Sequence, residues 1–234
     1  MPAQAIEMSS VAYPTDAQGI WCDVRPDARR GGPALFLDRD GVVVVETRYL
    51  CRAEDVVLIS EAGAVIGAAN RRGIAVVLVT NQAGIGRGYY GWNAFAAVQQ
   101  AISSRLQACG ARLDAVYACP HHPAGEGSFL HPDHPARKPN PGMILRAATD
   151  LGLELQKSWL VGDKTTDIEA AKRAALAGAM LVMTGYGESQ RAESAALATA
   201  RFSVRFAKSI AAAMTLPLLA SLPSPPSRAS RKWI

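Results

Sequence analysis

Apolar and polar positions follow one another in blocks along this chain, and the blocks fall into two periods. "PALFLD" (33–38), "IAVVLVTN" (74–81), "LDAVYACP" (113–120), "SWLVGD" (158–163) and "AMLVMTG" (179–185) are short, nearly unbroken apolar runs. Runs of that length with no polar face predict strands covered on both sides. The stretches between them repeat at helical spacing. "EAGAVIGAANRRG" (61–73) closes at Gly73, and Phe95, Val98, Ile102 and Leu106 share one face of a helix over 92–110 that Gly110 stops. In "NPGMILRAATDLG" (140–152), Asn140 reads as N-cap, Pro141 as the first helical position and Gly152 as the residue beyond the end. "TDIEAAKRAALAG" (166–178) is a further helix, and "RFSVRFAKSIAAAM" (201–214) predicts one more strand and helix. Strands alternating with amphipathic helices place the chain in the α/β class, as a doubly wound, Rossmann-like parallel sheet.

The ends lack this rhythm. Residues 1–33, ending in "RPDARRGGP", read as a leader or flexible arm, and 216–234 as a Pro- and Ser-rich tail, which leaves one domain over 34–215. Four scattered cysteines in a chain of 234 residues make no disulfide framework and point to a reducing compartment. The N-terminus has no basic and apolar signal pattern, and the late apolar stretch "SIAAAMTLPLLASL" falls short of the roughly 20 residues that span a bilayer. A cytoplasmic protein with no membrane partner is expected, a monomer by default. The formal charge of +5 lies partly in "SRASRKWI" and accompanies no basic-aromatic groove. It fits a small phosphorylated ligand and gives no reason to expect nucleic acid.

In parallel sheets of this kind ligands bind beyond the carboxyl ends of the strands. There the chain places Asp38, Arg39 and Asp40 after the first strand, Thr80 and Asn81 after the second, Arg137 and Lys138 before the 140–152 helix, and Asp163, Lys164 and Asp167 after the fourth strand. Two carboxylates at i and i+2 on a turning strand end can both face a site while Arg39 points away. The set suits phosphoryl transfer to an aspartate. Asp38 would attack phosphorus, and Asp40 would protonate the leaving oxygen and later deprotonate water. Such close carboxylates call for a hard cation, Mg2+, with Asp38, the carbonyl of Asp40 and Asp163 as ligands. Thr80 and Lys138 would hydrogen-bond the phosphoryl oxygens.

"LDRDG", "VVLVTNQ", "RKPNPG" and "LVGDKTTDI" resemble the four motifs of the haloacid dehalogenase-like (HAD-type) phosphatases. "FLDRDGV", "TNQAGIGRG", "CPHHPAG" and "RKPNPGM" are similar to the subgroup that contains D-glycero-D-manno-heptose 1,7-bisphosphate phosphatase and the histidinol-phosphatase domain. The resemblance spans roughly 34–187. It implies a Mg2+-dependent phosphoric monoester hydrolase with a small loop insertion (119–136) in place of a large cap domain. It also implies that Glu46, Thr47, Arg48 and Tyr49 form a substrate loop, that Asn81, Gln82 and Ala83 line the pocket, that Arg137 recognises substrate, and that Lys164 reaches Asp38 or the sugar phosphate. Val42 departs from the usual threonine and removes no catalytic group. Histidinol phosphate is an alternative substrate. A nucleic-acid 3'-phosphatase is another, since "TNQAGIGRG" also resembles polynucleotide kinase, although the histidine loop argues against it. A catalytically silent sugar-phosphate-binding protein is the non-enzymatic alternative.

"CPHHPAGEGSFLHPDHPARKP" (119–139) holds all four histidines. In the relatives it resembles, this loop is a zinc site of the form C-x-H followed by C-x-C. Here Cys119 and His121 remain, while His134 and Ala136 stand at the other two positions. Two readings stand: a zinc site of Cys119, His121, His131 and His134, or a metal-free loop stiffened by Pro120, Pro123, Pro132 and Pro135. Its expected role is structural in either form.

Overall fold

The structure is a computed structural model and describes residues 13–220. A seven-stranded sheet runs through it: β1 (Trp21–Val24), β2 (Ala34–Leu37), β3 (Ala75–Asn81), β4 (Ala115–Cys119), β5 (Trp159–Gly162), β6 (Gly178–Val182) and β7 (Ser203–Ala207). The spatial order is β1-β4-β3-β2-β5-β6-β7, all neighbours parallel except the β1–β4 pair. The helices are α1 (Ala62–Arg71), α2 (Ala83–Gly86), α3 (Trp92–Ala108), α4 (Gly142–Leu151), α5 (Thr165–Arg173), α6 (Gly187–Ala195) and α7 (Pro217–Ala220).

The apolar runs become central strands because each has two faces to bury. On β2, Leu35 and Leu37 join Ile66, Val76, Leu78 and Ile102 on one side of the sheet. Phe36 joins Val77, Val79, Ile144, Leu160 and Ile168 on the other. The winding reverses at β2, which pairs with β3 on one edge and β5 on the other. Such a reversal leaves a crevice at the carboxyl ends where the two sets of connections part, and ligands of doubly wound sheets bind there. The 120–141 connection carries a single 3-10 turn (Gly127–Phe129) and one bridge between His122 and Leu130, a compact loop and no cap domain.

The boundaries of the expected domain need correction. The stretch read as an arm contains β1, which pairs antiparallel with β4 and buries Trp21 against Trp92 and Phe95, with ring centroids 5.5 and 5.0 Å apart. Four residues of which only Trp21 is buried are too few to stand out in a polar segment. At the other end, Leu218 and Leu219 of α7 are buried, so the fold runs past the expected limit at 215. Residues 1–12 and 221–234, the rest of the expected arm and tail, lie outside the described residues. The helix expected from Asn140 begins at Gly142 with Pro141 as N-cap. In the closing unit, β7 is followed by a 3-10 helix (Ile210–Thr215). No helix among the described residues is long and apolar enough to cross a membrane.

Candidate active site

At the carboxyl end of β2 the chain turns sharply, and Asp38 still completes the ladder through its N–H to Val161 O (3.0 Å). Lys138 reaches this point from the loop before α4. It is 3% exposed, and its Nζ donates to Asp38 Oδ1 (2.9 Å) and Val79 O (2.8 Å) and pairs with Asp167 Oδ1 (2.6 Å). Burial opposes the lysine's charge, but Asp167 and Asp38 outweigh it and push its pKa up, so Lys138 stays a cation. Its backbone is held as firmly. Asn81 Nδ2 donates to Lys138 O (2.9 Å) and Asn81 Oδ1 accepts from Lys138 N (3.0 Å). Asn81 lines the pocket as expected, and its side chain also anchors the lysine.

Asp38, Asp163 and Asp167 are buried and present oxygens within 4.8 Å of one another, the one such set among the described residues. They fit a hard cation, and Asp163 shows why. Its Oδ2 accepts from Tyr186 N (2.9 Å), while its Oδ1 is buried with no hydrogen-bond partner and its nearest cation, Lys164 Nζ, is 4.0 Å away. Burial first, then the charges of Asp38 and Asp167, push the Asp163 pKa up to about 7. A divalent cation would supply the missing counter-charge. Two glycines keep room for this carboxylate. A Cβ at Gly41 (φ 81) would lie 2.6 Å from Asp163 Oδ2, and one at Gly185 would lie 2.0 Å from it.

Asp167, to which the sequence reading gave no role, is already committed. It pairs with Lys138 and accepts from the backbone N–H groups of Asp163 (3.2 Å) and Lys164 (3.0 Å). The hint was its place in the first turn of α5, four residues after Asp163.

Asp40 sits beside Asp38 with its carboxylate in ion-pair contact with Arg39, Nη2 to Oδ2 at 3.0 Å. Arg39, expected to point elsewhere than into the site, turns into the core beneath it and from there pairs with Asp40. Thr80 is buried, and its Oγ1 accepts from Gln82 Nε2 (2.8 Å), which leaves the hydroxyl hydrogen for another acceptor.

Asp38, Asp40, Thr80, Asn81, Lys138, Lys164, Thr166 and Asp167 form the floor. Above it opens a cleft of about 400 Å3 lined by Glu46, Arg48, Tyr49, Gln82, Ala83, Arg137, Lys164 and Tyr186, among others. Of the expected substrate residues, only Thr47 is not part of this lining. Lys164 lies 4.5 Å from the Tyr186 ring centroid and 3.6 Å from Glu46, whose pKa is raised by burial and then by the charge of Asp40. Arg48 adopts φ 68 with its N–H on the Glu46 carboxylate, and Tyr49 packs edge-on against Tyr89. Arg137 Nη1 donates to His121 O (3.0 Å), which ties the cleft to the histidine loop.

In that loop the rings of His121 and His134 stack 3.8 Å apart, and His131 meets His134 edge-on at 4.9 Å. The four expected zinc donors do not converge on one point. His121 Nε2 lies 2.8 Å from Gln18 O, and His131 Nδ1 and His134 Nδ1 each accept a backbone N–H (3.1 Å). Burial pushes the Cys119 thiol up to about 12. Burial, with His121 and His131 adding to it, holds His134 down to about 4. The rings of His121, His131 and His134 thus pack on one another, with His121 tied to Gln18 of the 13–20 segment.

Comparison with known proteins agrees with this geometry. A family model described as HAD-hydrolase-like matches residues 135–211. A D-glycero-beta-D-manno-heptose-1,7-bisphosphate 7-phosphatase of Mesorhizobium japonicum is 46% identical over 183 residues, 75% of this chain and 82% of that protein. The crystal structure of a HAD-like phosphatase from Mesorhizobium loti superposes with a TM-score of 0.79 at 41% identity, covering 90% of this chain and 96% of that one. That of the D,D-heptose 1,7-bisphosphate phosphatase from B. bronchiseptica, complexed with magnesium and phosphate, gives 0.71 at 28% identity, covering 81% and 99%. With a strand ending at Asp38, a buried lysine and a carboxylate cluster in place, this chain belongs to the HAD-like phosphatases, in the branch of the heptose-1,7-bisphosphate 7-phosphatases.

Proposed function

We propose that the protein is a Mg2+-dependent phosphatase that removes the 7-phosphate of D-glycero-D-manno-heptose 1,7-bisphosphate through an aspartyl-phosphate. The observation that carries the reading is the buried Asp38–Lys138–Asp167 arrangement beneath an open polar cleft, in a chain 46% identical to a phosphatase of that name. Mg2+ would be held by Asp38 and Asp163 with the carbonyl of Asp40, and bound there it supplies the positive charge that lets carboxylates and a phosphoryl group share one site.

Asp38 is the nucleophile, its Oδ1 fixed by Lys138 so that the carboxylate cannot rotate out of line. Lys138 Nζ and the Thr80 hydroxyl meet the equatorial phosphoryl oxygens, where charge grows in the transition state. Asp40 gives a proton to the departing sugar oxygen and recovers one from the water that hydrolyses the intermediate. Arg48, Arg137 and Lys164 line the cleft with the positive charge a second phosphate requires. With four free cysteines among the described residues, a reducing compartment suits the protein. The histidine loop serves as a support for Arg137 and needs no metal for that.

The test is phosphate release with Mg2+ from heptose 1,7-bisphosphate, histidinol phosphate and 3'-phosphorylated DNA, alongside Asp38→Asn. The heptose bisphosphate is expected to give the highest kcat/KM, and Asp38→Asn to abolish turnover while keeping its melting transition. Full turnover by that variant overturns the mechanism. A higher kcat/KM on either other substrate overturns the substrate.

A further inference from the structure

Among the described residues Arg39 is the bulkiest side chain to be completely enclosed, 1% exposed, with its guanidinium carbon 5.5 Å from the Phe95 ring centroid. A buried cation is costly unless it is paired and hydrogen-bonded, and its partner is the one carboxylate whose aim matters most. Arg39 Nη2 lies 3.0 Å from Asp40 Oδ2, and Nε lies 3.1 Å from Oδ2 and 3.2 Å from Oδ1. Gln82 Nε2 also donates to Oδ2, at 3.3 Å. Gln82 is itself fixed, because Tyr90 donates its hydroxyl to Oε1 (2.6 Å) and Nε2 also donates to Thr80 (2.8 Å).

The two oxygens of Asp40 are therefore unequal. Oδ2 receives Nη2, the Gln82 amide and a share of Nε, whereas Oδ1 has only the other share of the forked Nε contact. A carboxyl that passes a proton to and fro needs one oxygen held and one free.

We infer that Arg39 and Gln82 are positioning residues that clamp Oδ2 of Asp40, so that Oδ1 carries the proton. The inference rests on the phosphatase reading above. In the first step the bond between Asp38 oxygen and phosphorus forms and the bond from phosphorus to the sugar oxygen breaks. The electron pair stays on the sugar oxygen, which takes the proton from Oδ1. In the second step a water oxygen bonds to phosphorus, the Asp38 oxygen leaves, and Oδ1 recovers a proton from that water.

A clamp on the acid can be told from a merely structural arginine by the leaving group. A sugar alkoxide must be protonated as it departs, but p-nitrophenolate need not be. The experiment measures kcat/KM with Mg2+ for wild type, Arg39→Met and Arg39→Lys on heptose 1,7-bisphosphate and on p-nitrophenyl phosphate. kcat/KM reports only the steps through leaving-group departure, and the ratio between substrates cancels any loss of folded enzyme.

Arg39→Met is expected to lose roughly 100-fold or more on the sugar phosphate, the usual range for general acid catalysis, and less than about 10-fold on the aryl phosphate. Arg39→Lys keeps the charge without the fork and is expected to keep the deficit. In an Asp40→Asn background Arg39→Met is expected to add no further loss on the sugar. Equal losses on both substrates, or full restoration by lysine, overturn the assignment. If Arg39→Met is insoluble, Gln82→Leu is judged by the same ratio. A wild-type protein that hydrolyses neither substrate defeats the phosphatase reading itself, whereas equal losses leave that reading standing.

Discussion

Replacing Lys138 by methionine fills its volume and removes its charge, and the consequences divide cleanly between stability and turnover. In the intact protein Nζ lies 2.9 Å from Asp38 Oδ1, 2.6 Å from Asp167 Oδ1 and 2.8 Å from Val79 O, at 3% exposure. Without it, three buried carboxylates within 4.8 Å of one another face no internal cation closer than Lys164. Breaking a buried ion pair by deleting one partner costs about 3–5 kcal/mol. For a chain of this size each kcal/mol moves Tm by roughly 2–4 °C, so Lys138→Met in EDTA is expected to melt about 6–20 °C below wild type. Asp167→Asn added to it removes one charge while keeping an acceptor for the N–H groups of Asp163 and Lys164, and should restore much of the loss. Activity should not return, since one donor to the phosphoryl group is gone and such donors contribute roughly 100- to 1,000-fold in kcat. Melts followed by circular dichroism in EDTA, paired with phosphate release in Mg2+, read both quantities. Stability losses that simply add in the double variant, or a Lys138→Met protein that melts with wild type, would refute the reasoning.

Three further outcomes follow from the same geometry. Gly185→Ala places a Cβ where Asp163 Oδ2 stands, 2.0 Å away, so the Mg2+ concentration for half-maximal activity is expected to rise roughly 10- to 100-fold; an unchanged Mg2+ dependence counts against Asp163 as a ligand. Asp163 titrates near 7 in the folded protein against an ordinary 3.8, so the metal-free fold binds a proton that the unfolded chain releases between those values. Its stability in EDTA therefore includes a contribution present at low pH and lost as pH rises towards 7, and Mg2+, which competes with that proton, should raise Tm more at pH 8 than at pH 5. An equal Mg2+ shift at both pH values contradicts this. Protein purified without chelator is expected to contain almost no zinc, because the donors of Cys119, His121, His131 and His134 do not converge; one zinc per chain in elemental analysis would show that the loop rearranges around metal.

Much of the site was legible because parallel strands announce themselves. An apolar run such as 74–81 has no polar face to show, so it must lie inside a sheet, and the catalytic groups are then the residues that follow each run. That logic found Asp38, Asp40, Thr80, Lys138 and Asp163, all of which meet at one floor or its edge. It missed β1, of whose four residues only Trp21 is buried, and α6, in which only Gly187 and Ser194 are buried. It gave Arg39 no partner, because nothing local shows that Phe95 and Asp40 wait beneath.

By itself, then, the sequence determined the class of fold, the places of its central strands and the chemical groups gathered at their carboxyl ends, since side-chain periodicity and strand polarity are local properties. The tertiary structure alone decided which carboxylate is paired and which oxygen is left bare, and it decided that Asn81 serves Lys138 and that the histidines stack without converging on a metal. Those facts depend on desolvation and on contacts across the fold, such as Lys138 on Asp38 a hundred positions apart. A short-range pattern carries no record of them.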